Sequence, residues 1–410
     1  MLARTPEAAV ASPRFFDQPR AVWATAFAAV VGFMGIGLVD PILISIAEGL
    51  HATPAQVSLL FTSYFAVTAV MMLITGFVSS RIGGRATLLV GAVLIAVFAA
   101  LSGTSNSVAQ LVSYRAGWGL GNALFVATAL SVIVASSRGG TTAAILMYES
   151  ALGLGISAGP LVGAALGAMS WRYPFFGTSI LMVIGFVAIS LFLDRQPRPA
   201  QKTKLADPLK ALRHRGLATT AASAFFYNYA FFTVLAFVPF VLRMSAYTIG
   251  AIFFGWGVLL ALFSVVVAPK LASRISSLNL AAVMLVLLAA LLVAIAFGTA
   301  PVVIAAVVAS GAVMGINNTL YTEMALEVSD APRPVASAGY NFVRWFAGVI
   351  APFAAPKIAE AANSEVTFIV AALSALIAIA VLFAGRGSLG RFARPHHEDV
   401  ASPITASSTP

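Results

Sequence analysis

Residues 151–167 read ALGLGISAGPLVGAALG. This stretch carries no charged side chain, and a small residue stands at every fourth position: Ala151, Gly155, Gly159, Gly163 and Gly167. In a helix this spacing gives a smooth stripe on which a second helix can pack closely. Pro160 removes one backbone hydrogen bond from the same helix and favours a kink there. The stretch therefore predicts a helix that lies in the hydrocarbon of a membrane and packs tightly against a neighbour.

The composition of the whole chain also indicates a membrane protein. Of its 410 residues, 60% are hydrophobic and 9% are charged, whereas an ordinary soluble domain carries roughly 25% charged residues. The apolar segments are continuous runs rich in Ala, Leu and Val, which excludes a β-barrel of short alternating strands. A membrane-spanning helix needs about 20 mainly apolar residues, so we predict an all-α membrane protein with twelve transmembrane helices. The predicted helices cover residues 21–47, 55–79, 86–103, 109–135, 141–167, 173–193, 216–242, 247–268, 279–298, 301–326, 335–357 and 364–385.

Sequence echoes divide these helices into two halves. The string SRI at residues 80–82 returns at 273–275, and GP at 159–160 returns as AP at 351–352. Such echoes are typical of transporters built from two parallel repeats. The predicted divisions are a cytoplasmic tail (1–20), a six-helix lobe (21–194), a basic cytoplasmic linker (195–215), a second six-helix lobe (216–385) and a cytoplasmic tail (386–410).

Basic residues indicate how the helices are oriented. The chain has 24 Lys and Arg against 14 Asp and Glu, a formal net charge of +10. An even number of helices places both termini on one side, and most basic residues fall in the tails and loops of that side, which the positive-inside rule makes cytoplasmic. These scattered charges do not form the basic face of a nucleic-acid-binding domain. We expect a monomer in the cytoplasmic membrane of a bacterium, in contact with membrane lipids. The basic linker is interpreted first as a topology signal, and docking on anionic lipid headgroups is the alternative.

Three motifs resemble those of a known family. The string GISAGPLVG at 155–163 resembles the antiporter motif of drug exporters in the major facilitator superfamily, and GFVSSRIGGR at 76–85 resembles the loop motif that follows the second helix of that superfamily. Arg115, with two nearby glycines, resembles its motif B arginine. The resemblance implies the major facilitator fold and the drug:proton antiporter branch. The residues that carry the two conformational motifs are Gly76, Arg81, Gly83, Arg85, Gly155, Gly159, Pro160 and Gly163.

The loop motif departs from the family pattern at one position. Ser80 stands where the family usually has an aspartate whose charge helps to hold the outward-open state. A serine can cap a helix, but it cannot form that ion pair. We therefore expect a weaker lock in this chain, and Arg81 and Arg85 could serve membrane topology alone.

Ionisable residues inside predicted helices are candidates for proton coupling, because such residues are costly in a membrane. Asp40 lies in the first helix beside Pro41, which loosens the backbone, and the resemblance places Arg115 near it. A coupled proton site and a static ion pair are the two readings of this pair. Glu149 lies nearer the cytoplasmic end of the fifth helix, as a second proton station, an anchor for a cationic substrate or a carboxyl that reaches the interface.

Polar and aromatic residues in the helices that line the cavity of this superfamily are candidates for substrate binding. Aromatic walls with few hydrogen-bonding groups suit amphipathic molecules of varied shape; packing between helices is the alternative role. The candidates are Asn122, Phe125, Tyr148, Tyr227, Asn228, Phe231, Asn317, Asn318, Tyr321, Tyr340 and Asn341. Glu323 and Arg344 are expected to form a gate or structural pair at the cytoplasmic mouth, and contact with the substrate is the alternative role.

The predicted function is export of a small-molecule substrate, lipophilic and cationic or neutral, in exchange for protons by alternating access. A proton-coupled exporter of a sugar or other metabolite and a lipid flippase are the alternatives with the same architecture. We expect neither enzymatic activity nor a cofactor other than the proton as coupling ion. Cysteine is absent, and the four histidines have no metal-ligand spacing, so no metal site is expected.

Overall fold

The computed structural model describes residues 17–138, 140–195 and 202–393, leaving aside the side chains at 140–143, 145, 146, 149, 391 and 393. Twelve helices in this part of the chain are long and apolar enough to cross a membrane. They are α1 (Arg20–Gly49), α2 (Pro54–Ile82), α3 (Gly84–Gly103), α4 (Val108–Ser136), α5 (Gly140–Gly167), α6 (Tyr173–Phe192), α7 (Arg215–Leu242), α8 (Ala246–Ala272), α9 (Ser277–Phe297), α10 (Ala300–Glu327), α11 (Arg333–Ala361) and α12 (Ser364–Ala384). The predicted twelve-helix fold is confirmed.

Polar caps set several helix ends slightly outside the predicted apolar runs. Thr53 accepts a hydrogen bond from the backbone N–H of Gln56, and the Gln56 side chain accepts one from the backbone N–H of Thr53. This capping box satisfies two amide groups at the start of α2. Gly83 ends the same helix with a φ of 89°, a conformation that favours glycine, and α3 begins at the next residue.

The first membrane span is interrupted near Asp40. Its α-helix runs over Arg20–Gly37, a 3₁₀ turn covers Asp40–Ile42, and a second α-helix covers Leu43–Gly49. Pro41 lacks a backbone N–H and cannot continue the regular helical hydrogen bonds. The interruption places Asp40 at the junction of two helical segments.

Two lobes of six helices pack around the space between them. The α6–α7 linker, described from residue 202, and the end of α12 lie on the side where α1 begins, and we call this side the linker side. Within the first lobe α1 packs on α5 and α6, while α4 packs on α2 and α3. Between the lobes, α2 packs on α11 and α5 packs on α8. These two helix pairs therefore join the lobes.

Glycines on α5 and on α8 allow α5 to pack closely within its own lobe and against the second lobe. A Cβ atom on Gly155 would lie 2.7 Å from the Cβ of Phe33, and one on Gly159 would lie 2.7 Å from the Met34 carbonyl oxygen, so these glycines allow α1 to approach closely. On the α8 side, a Cβ on Gly257 would lie 2.8 Å from the Cα of Ser157. Close packing within the first lobe and between the lobes thus uses two faces of one helix.

Some predicted segments fall only partly within the described chain. The first tail up to residue 16, linker residues 196–201 and the last tail from residue 394 lie outside the described residues. The rest of the linker contains a short helix, Asp207–Ala211, and the chain after α12 forms a 3₁₀ segment, Arg386–Ala393.

Candidate transport site

Two cavities lie between the lobes. The central cavity reaches Asp40 in α1 and Leu235 in α7. The linker-side cavity extends from the same region towards the linker side, as far as Leu326 in α10. Both cavities are lined by Phe33, Leu152, Asn318, Arg344 and Trp345. These five shared residues, which we call the junction residues, mark the place where the two cavities meet.

The central cavity is small and mostly apolar. Water-sized spheres can occupy about 30 Å³ of it and about 100 Å³ of the linker-side cavity. A water molecule needs about 10–15 Å³ of such space, so the central cavity has room for a few waters and not for a drug-sized molecule. Its described charged lining residues are Asp40 and Arg344. Binding of a larger molecule therefore requires the lobes or the lining side chains to move.

Asp40 is buried in the wall of the central cavity. Its exposed fraction is 1%, and neither carboxylate oxygen has a hydrogen-bond partner among the described residues. It interacts electrostatically with Arg115, although no N–O distance within 4.0 Å joins the two among the described ion pairs. A carboxylate at this depth without a direct partner is an unusual arrangement, because such groups in membranes normally pair.

Arg115 is held in α4 by backbone and aromatic groups. It is fully buried, and its Nη1 donates a long hydrogen bond of 3.4 Å to the Gly35 carbonyl oxygen of α1. Its guanidinium carbon lies 4.3 Å from the centre of the Tyr64 ring and 4.6 Å from that of Trp118. Cation–π contacts of this kind are strongest when water is excluded. The predicted neighbourhood of Arg115 and Asp40 is present, but as an electrostatic contact and not as a hydrogen-bonded ion pair.

Six of the residues predicted to bind substrate line a cavity. The central cavity is lined by Asn228, Phe231 and Asn318, and the linker-side cavity by Tyr148, Asn318, Tyr340 and Asn341. Asn228 donates a hydrogen bond to the Ala224 carbonyl oxygen, and Asn341 donates one to Ser337 Oγ. Asn318 has no hydrogen bond to another described residue, so its amide is available to a molecule in either cavity.

The other five predicted substrate residues line neither cavity. Tyr227 donates a hydrogen bond to the Met314 carbonyl oxygen and stacks on Tyr321 with ring centres 5.5 Å apart. Tyr321 in turn shares a hydrogen bond of 2.6 Å with Ser223. The remaining three, Asn122, Phe125 and Asn317, are fully buried. None of the five lines a cavity in this structure, and their role in substrate binding stays a prediction.

The expected gate pair is also absent from the described contacts. No ion pair of 4.0 Å or less joins Glu323 to Arg344 among the described residues. Arg344 instead faces both cavities, while Glu323 lies one turn nearer to the end of α10 than the shared lining residue Asn318. Glu149 belongs to the described part of α5 through its backbone, but its side chain lies outside the described residues.

The loop motif residues attach the linker to α2 and attach α3 to α6. Arg81 donates hydrogen bonds to the carbonyl oxygens of Phe77 and Thr203, and Arg85 donates one of 2.8 Å to the Ser190 carbonyl oxygen in α6. Ser80 accepts a hydrogen bond from the backbone N–H of Thr203. A Cβ on Gly76 would lie in ordinary contact with Thr203. These arginines therefore make specific structural contacts in addition to any effect on topology.

Several lining residues were missed by the sequence analysis. Phe33 and Ile36 share one face of α1 with Asp40, because residues three, four and seven positions apart lie on the same side of a helix. That spacing from Asp40 could have identified them. Trp256 and Trp345 line the central cavity as well. No sequence pattern distinguishes these two residues from aromatic residues that pack elsewhere in the protein.

Comparisons with known proteins agree with this architecture. The family model described as Major Facilitator Superfamily matches residues 25–352. The chain is 48% identical to the multidrug efflux protein YfmO of Bacillus subtilis over 382 residues, which are 93% of this chain and 96% of that protein. It is 33% identical over 174 residues to the tetracenomycin C resistance and export protein of Streptomyces glaucescens, a match that spans 41% of this chain and 32% of that protein.

Solved structures show the same fold at low sequence identity. The human organic anion transporter TETRAN superimposes with a TM-score of 0.71 at 18% identity, covering 88% of this chain and 99% of that one. A bacterial homologue of the human lysosomal transporter Spinster, in an inward-facing and unoccupied conformation, gives a TM-score of 0.70 at 16% identity and covers 90% and 97% of the two chains. At these identities the likeness concerns the fold alone.

Proposed function

The chain belongs to the Major Facilitator Superfamily, and we propose that it exports lipophilic drug-like compounds in exchange for protons. The observation that carries this proposal is Asp40, a buried carboxylate in the cavity wall without a hydrogen-bond partner among the described residues. The relative from Bacillus subtilis is a multidrug efflux protein and matches almost the whole chain. The apolar lining of the central cavity supports a lipophilic substrate.

In this proposal Asp40 carries the proton and Arg115 adjusts its charge state. Adding a proton to Asp40 removes a negative charge that Arg115 otherwise neutralises in part, and the energy of this change is large because both groups are shielded from water. Asp40 lies at the junction of two helical segments, where a small rotation can change its surroundings. Substrate and proton then favour different arrangements of the two lobes, which is what exchange by alternating access requires.

The contacts between the lobes support alternating access about the central cavity. Thr62 of α2 donates a hydrogen bond of 3.2 Å to the Val349 carbonyl oxygen of α11, and the Phe65 ring lies 4.5 Å from that of Phe232. Gly250 of α8 packs against the Pro160 backbone of α5. These contacts lie at the depth of the central cavity or between it and the side opposite the linker. Separating them while closing the linker-side cavity would carry a bound compound across the membrane.

We place the linker side in the cytoplasm of a bacterium, with the chain in the cytoplasmic membrane. The short helix Asp207–Ala211 follows the basic residues Lys202 and Lys204 on that side, and the positive-inside rule assigns such loops to the cytoplasm. In this orientation the linker-side cavity receives compounds from the cytoplasm or from the inner leaflet.

The test uses proteoliposomes that contain the full chain and an internal pH dye. A panel of lipophilic cations, neutral antibiotics, lipophilic anions and sugars is added to the wild type, to Asp40→Asn and to Asp194→Asn. Asp194 lies exposed at the end of α6, so its variant removes one carboxylate away from the cavities. We expect lipophilic compounds to move protons in the wild type and in Asp194→Asn but not in Asp40→Asn.

Other results would identify a different transporter. Proton movement triggered only by sugars would indicate a metabolite exporter. Movement of a labelled lipid without any response to the panel would indicate a flippase. Unchanged proton movement in Asp40→Asn would remove Asp40 from the coupling path.

A further inference from the structure

Arg344 of α11 lies at the place where the two cavities meet. It is the one charged side chain among the described lining residues of the linker-side cavity, and with Asp40 it is one of two around the central cavity. The side chain is partly exposed, in contrast to the fully buried Arg115. A molecule that enters from the linker side therefore meets a positive charge before it meets Asp40.

The surroundings of Arg344 leave its guanidinium group open to a ligand. Its described contacts are with two aromatic rings, with the guanidinium carbon 5.8 Å from the centre of the Tyr340 ring and 5.6 Å from that of Trp345. No hydrogen bond or ion pair of Arg344 with another described residue is present, and its Nε is buried without a partner. A cation at membrane depth normally has a carboxylate or backbone carbonyl beside it.

Two further features around Arg344 fit the same kind of ligand. The side-chain amide of Asn318 also lines both cavities and makes no hydrogen bond to a described residue, so it can donate to an oxyanion. Phe33, Leu152 and Trp345 are the apolar junction residues. An acidic head group at Arg344 would therefore have an apolar wall next to it for the rest of the molecule.

We infer that Arg344 and Asn318 form a binding site for the carboxylate or sulfonate group of an amphipathic anion. The guanidinium fork donates two parallel hydrogen bonds to such a group, a geometry that an ammonium ion lacks. The amide of Asn318 donates to the same group, and the aromatic part of the anion packs against Trp345 and Phe33. This inference rests on the proposed function, since it names the substrate class of that transport site, and it differs from the cationic or neutral substrate expected from the sequence.

The test compares three molecules of nearly one shape and different charge: biphenyl carboxylate, biphenyl carboxamide and biphenyl trimethylammonium. Saturable binding of each tritiated compound is measured on the full chain in detergent by scintillation proximity, for the wild type, Arg344→Gln, Arg344→Lys and Arg274→Gln. Arg274→Gln is the matched control because it makes the same change at an exposed arginine that lines neither cavity.

We expect the wild type to bind the carboxylate more tightly than the carboxamide. Arg344→Gln should weaken binding of the carboxylate by about tenfold or more, the range expected for a hydrogen bond to a charged group, while carboxamide binding stays within about twofold as a check that the cavity is intact. Arg344→Lys should retain part of the preference. Arg274→Gln should leave carboxylate binding unchanged.

Three outcomes would overturn the inference. Equal binding of carboxylate and carboxamide to the wild type would show that no anion site exists. A carboxylate preference that survives in Arg344→Gln would place the site elsewhere. Tightest binding of the trimethylammonium compound to the wild type would show a cation site. Since binding is measured without transport, these outcomes are separate from the loss or retention of proton movement in Asp40→Asn.

Discussion

The two lobes hold their charges in different ways. In the first lobe, Asp40 and Arg115 are at most 1% exposed, and the Arg115 guanidinium lies beside two aromatic rings. In the second lobe, Arg344 is partly exposed, lines both cavities and lies beside two aromatic rings. The first arrangement encloses a carboxylate at the cavity wall together with a nearby cation, and the second presents a cation to a molecule that enters either cavity. In our proposal the first lobe therefore supplies the group that binds the proton, and the second lobe supplies a group that binds the substrate.

The largest expected effect is a difference in stability between two arginine-to-glutamine variants, one in each lobe. Arg115→Gln leaves the buried Asp40 carboxylate without its nearby counter-charge and should cost about 3 kcal/mol, the low end for a broken buried charge pair, because no ion pair within 4.0 Å joins the two groups among the described residues. Arg344→Gln removes a partly exposed cation with no described counter-ion and should cost less than about 1 kcal/mol. Thermal unfolding of the purified variants in one detergent measures the difference.

A double variant sharpens this first prediction. Asp40→Asn together with Arg115→Gln removes both charges and should recover much of the stability lost in Arg115→Gln. If the double variant were as unstable as Arg115→Gln, the loss would come from the aromatic contacts of Arg115 with Tyr64 and Trp118. Equal destabilisation by Arg115→Gln and Arg344→Gln would contradict the contrast between the lobes.

The second prediction compares packing inside the first lobe with packing between the lobes. Gly159→Val places methyl groups against the Met34 backbone of α1 and should destabilise the lobe by about 1–3 kcal/mol, as overpacking does. Gly257→Val places methyl groups of α8 against Ser157 of α5, at the boundary between the lobes. We expect this variant to keep its fold and to separate α8 from α5.

Separation of the lobes can be measured because the chain contains no cysteine. Leu235→Cys introduces a single thiol into the wall of the central cavity, at a position that is buried in this structure. A membrane-impermeant maleimide added from the side opposite the linker should label it faster in the Gly257→Val background than in the wild-type background. Unchanged labelling would show that the α5–α8 contact does not control access from that side.

The fold was predictable because a membrane leaves the chain few choices. Backbone groups must be satisfied inside hydrocarbon, so long apolar runs become helices, and caps such as Thr53 move their ends by only a few residues. Close packing of a second helix on α5 also followed from the sequence, since Gly155 and Gly159 have no side chain to hold the helices apart, whereas only the structure shows that this helix is α1. Asp40 stood out because charged residues are rare in such runs.

The cavity lining was only partly predictable, for a reason specific to membranes. Surfaces that face lipid and surfaces that face another helix are both apolar, so the sequence carries little signal for the rotation of a helix. Tyr227 and Asn228 are neighbours in α7, yet one packs against α10 and the other faces the central cavity. The pairing of Arg344 with Glu323 stays a prediction, because no ion pair joins them among the described residues and Arg344 lines both cavities.

The third prediction uses the neighbours Tyr227 and Asn228. Tyr227→Phe removes the hydroxyl that donates to the Met314 carbonyl oxygen and should lower stability by about 1 kcal/mol, the usual net value of one hydrogen bond. It should leave binding of biphenyl carboxamide unchanged because the ring lines neither cavity. Asn228→Leu, which alters the cavity wall, should change that binding more than it changes stability. The reverse pattern would restore Tyr227 as a substrate contact.

The smallest effect is expected at the two copies of the SRI string. Ser80 accepts a hydrogen bond of 3.3 Å from the backbone N–H of Thr203 in the linker. Ser273 in the second lobe donates a hydrogen bond to the Lys270 carbonyl oxygen three residues earlier, and its side chain accepts none from another described residue. Ser80→Ala should therefore loosen the linker by about 0.5–1 kcal/mol, the lower range for one hydrogen bond, and Ser273→Ala should not. Since Arg81 still donates to the Thr203 carbonyl oxygen, the linker should stay attached in most molecules.

Limited trypsin digestion measures this difference, because Lys202 and Lys204 flank Thr203. Cleavage after these lysines requires the linker to leave the surface of the first lobe, so its rate follows the fraction of molecules in which Thr203 has detached. A loss of about 0.5–1 kcal/mol raises that fraction roughly two- to fivefold, and Ser80→Ala should speed cleavage by that factor relative to Ser273→Ala. Equal rates would mean that Arg81 alone holds the linker, and that the serine at position 80 contributes nothing to the attachment where the family pattern has an aspartate.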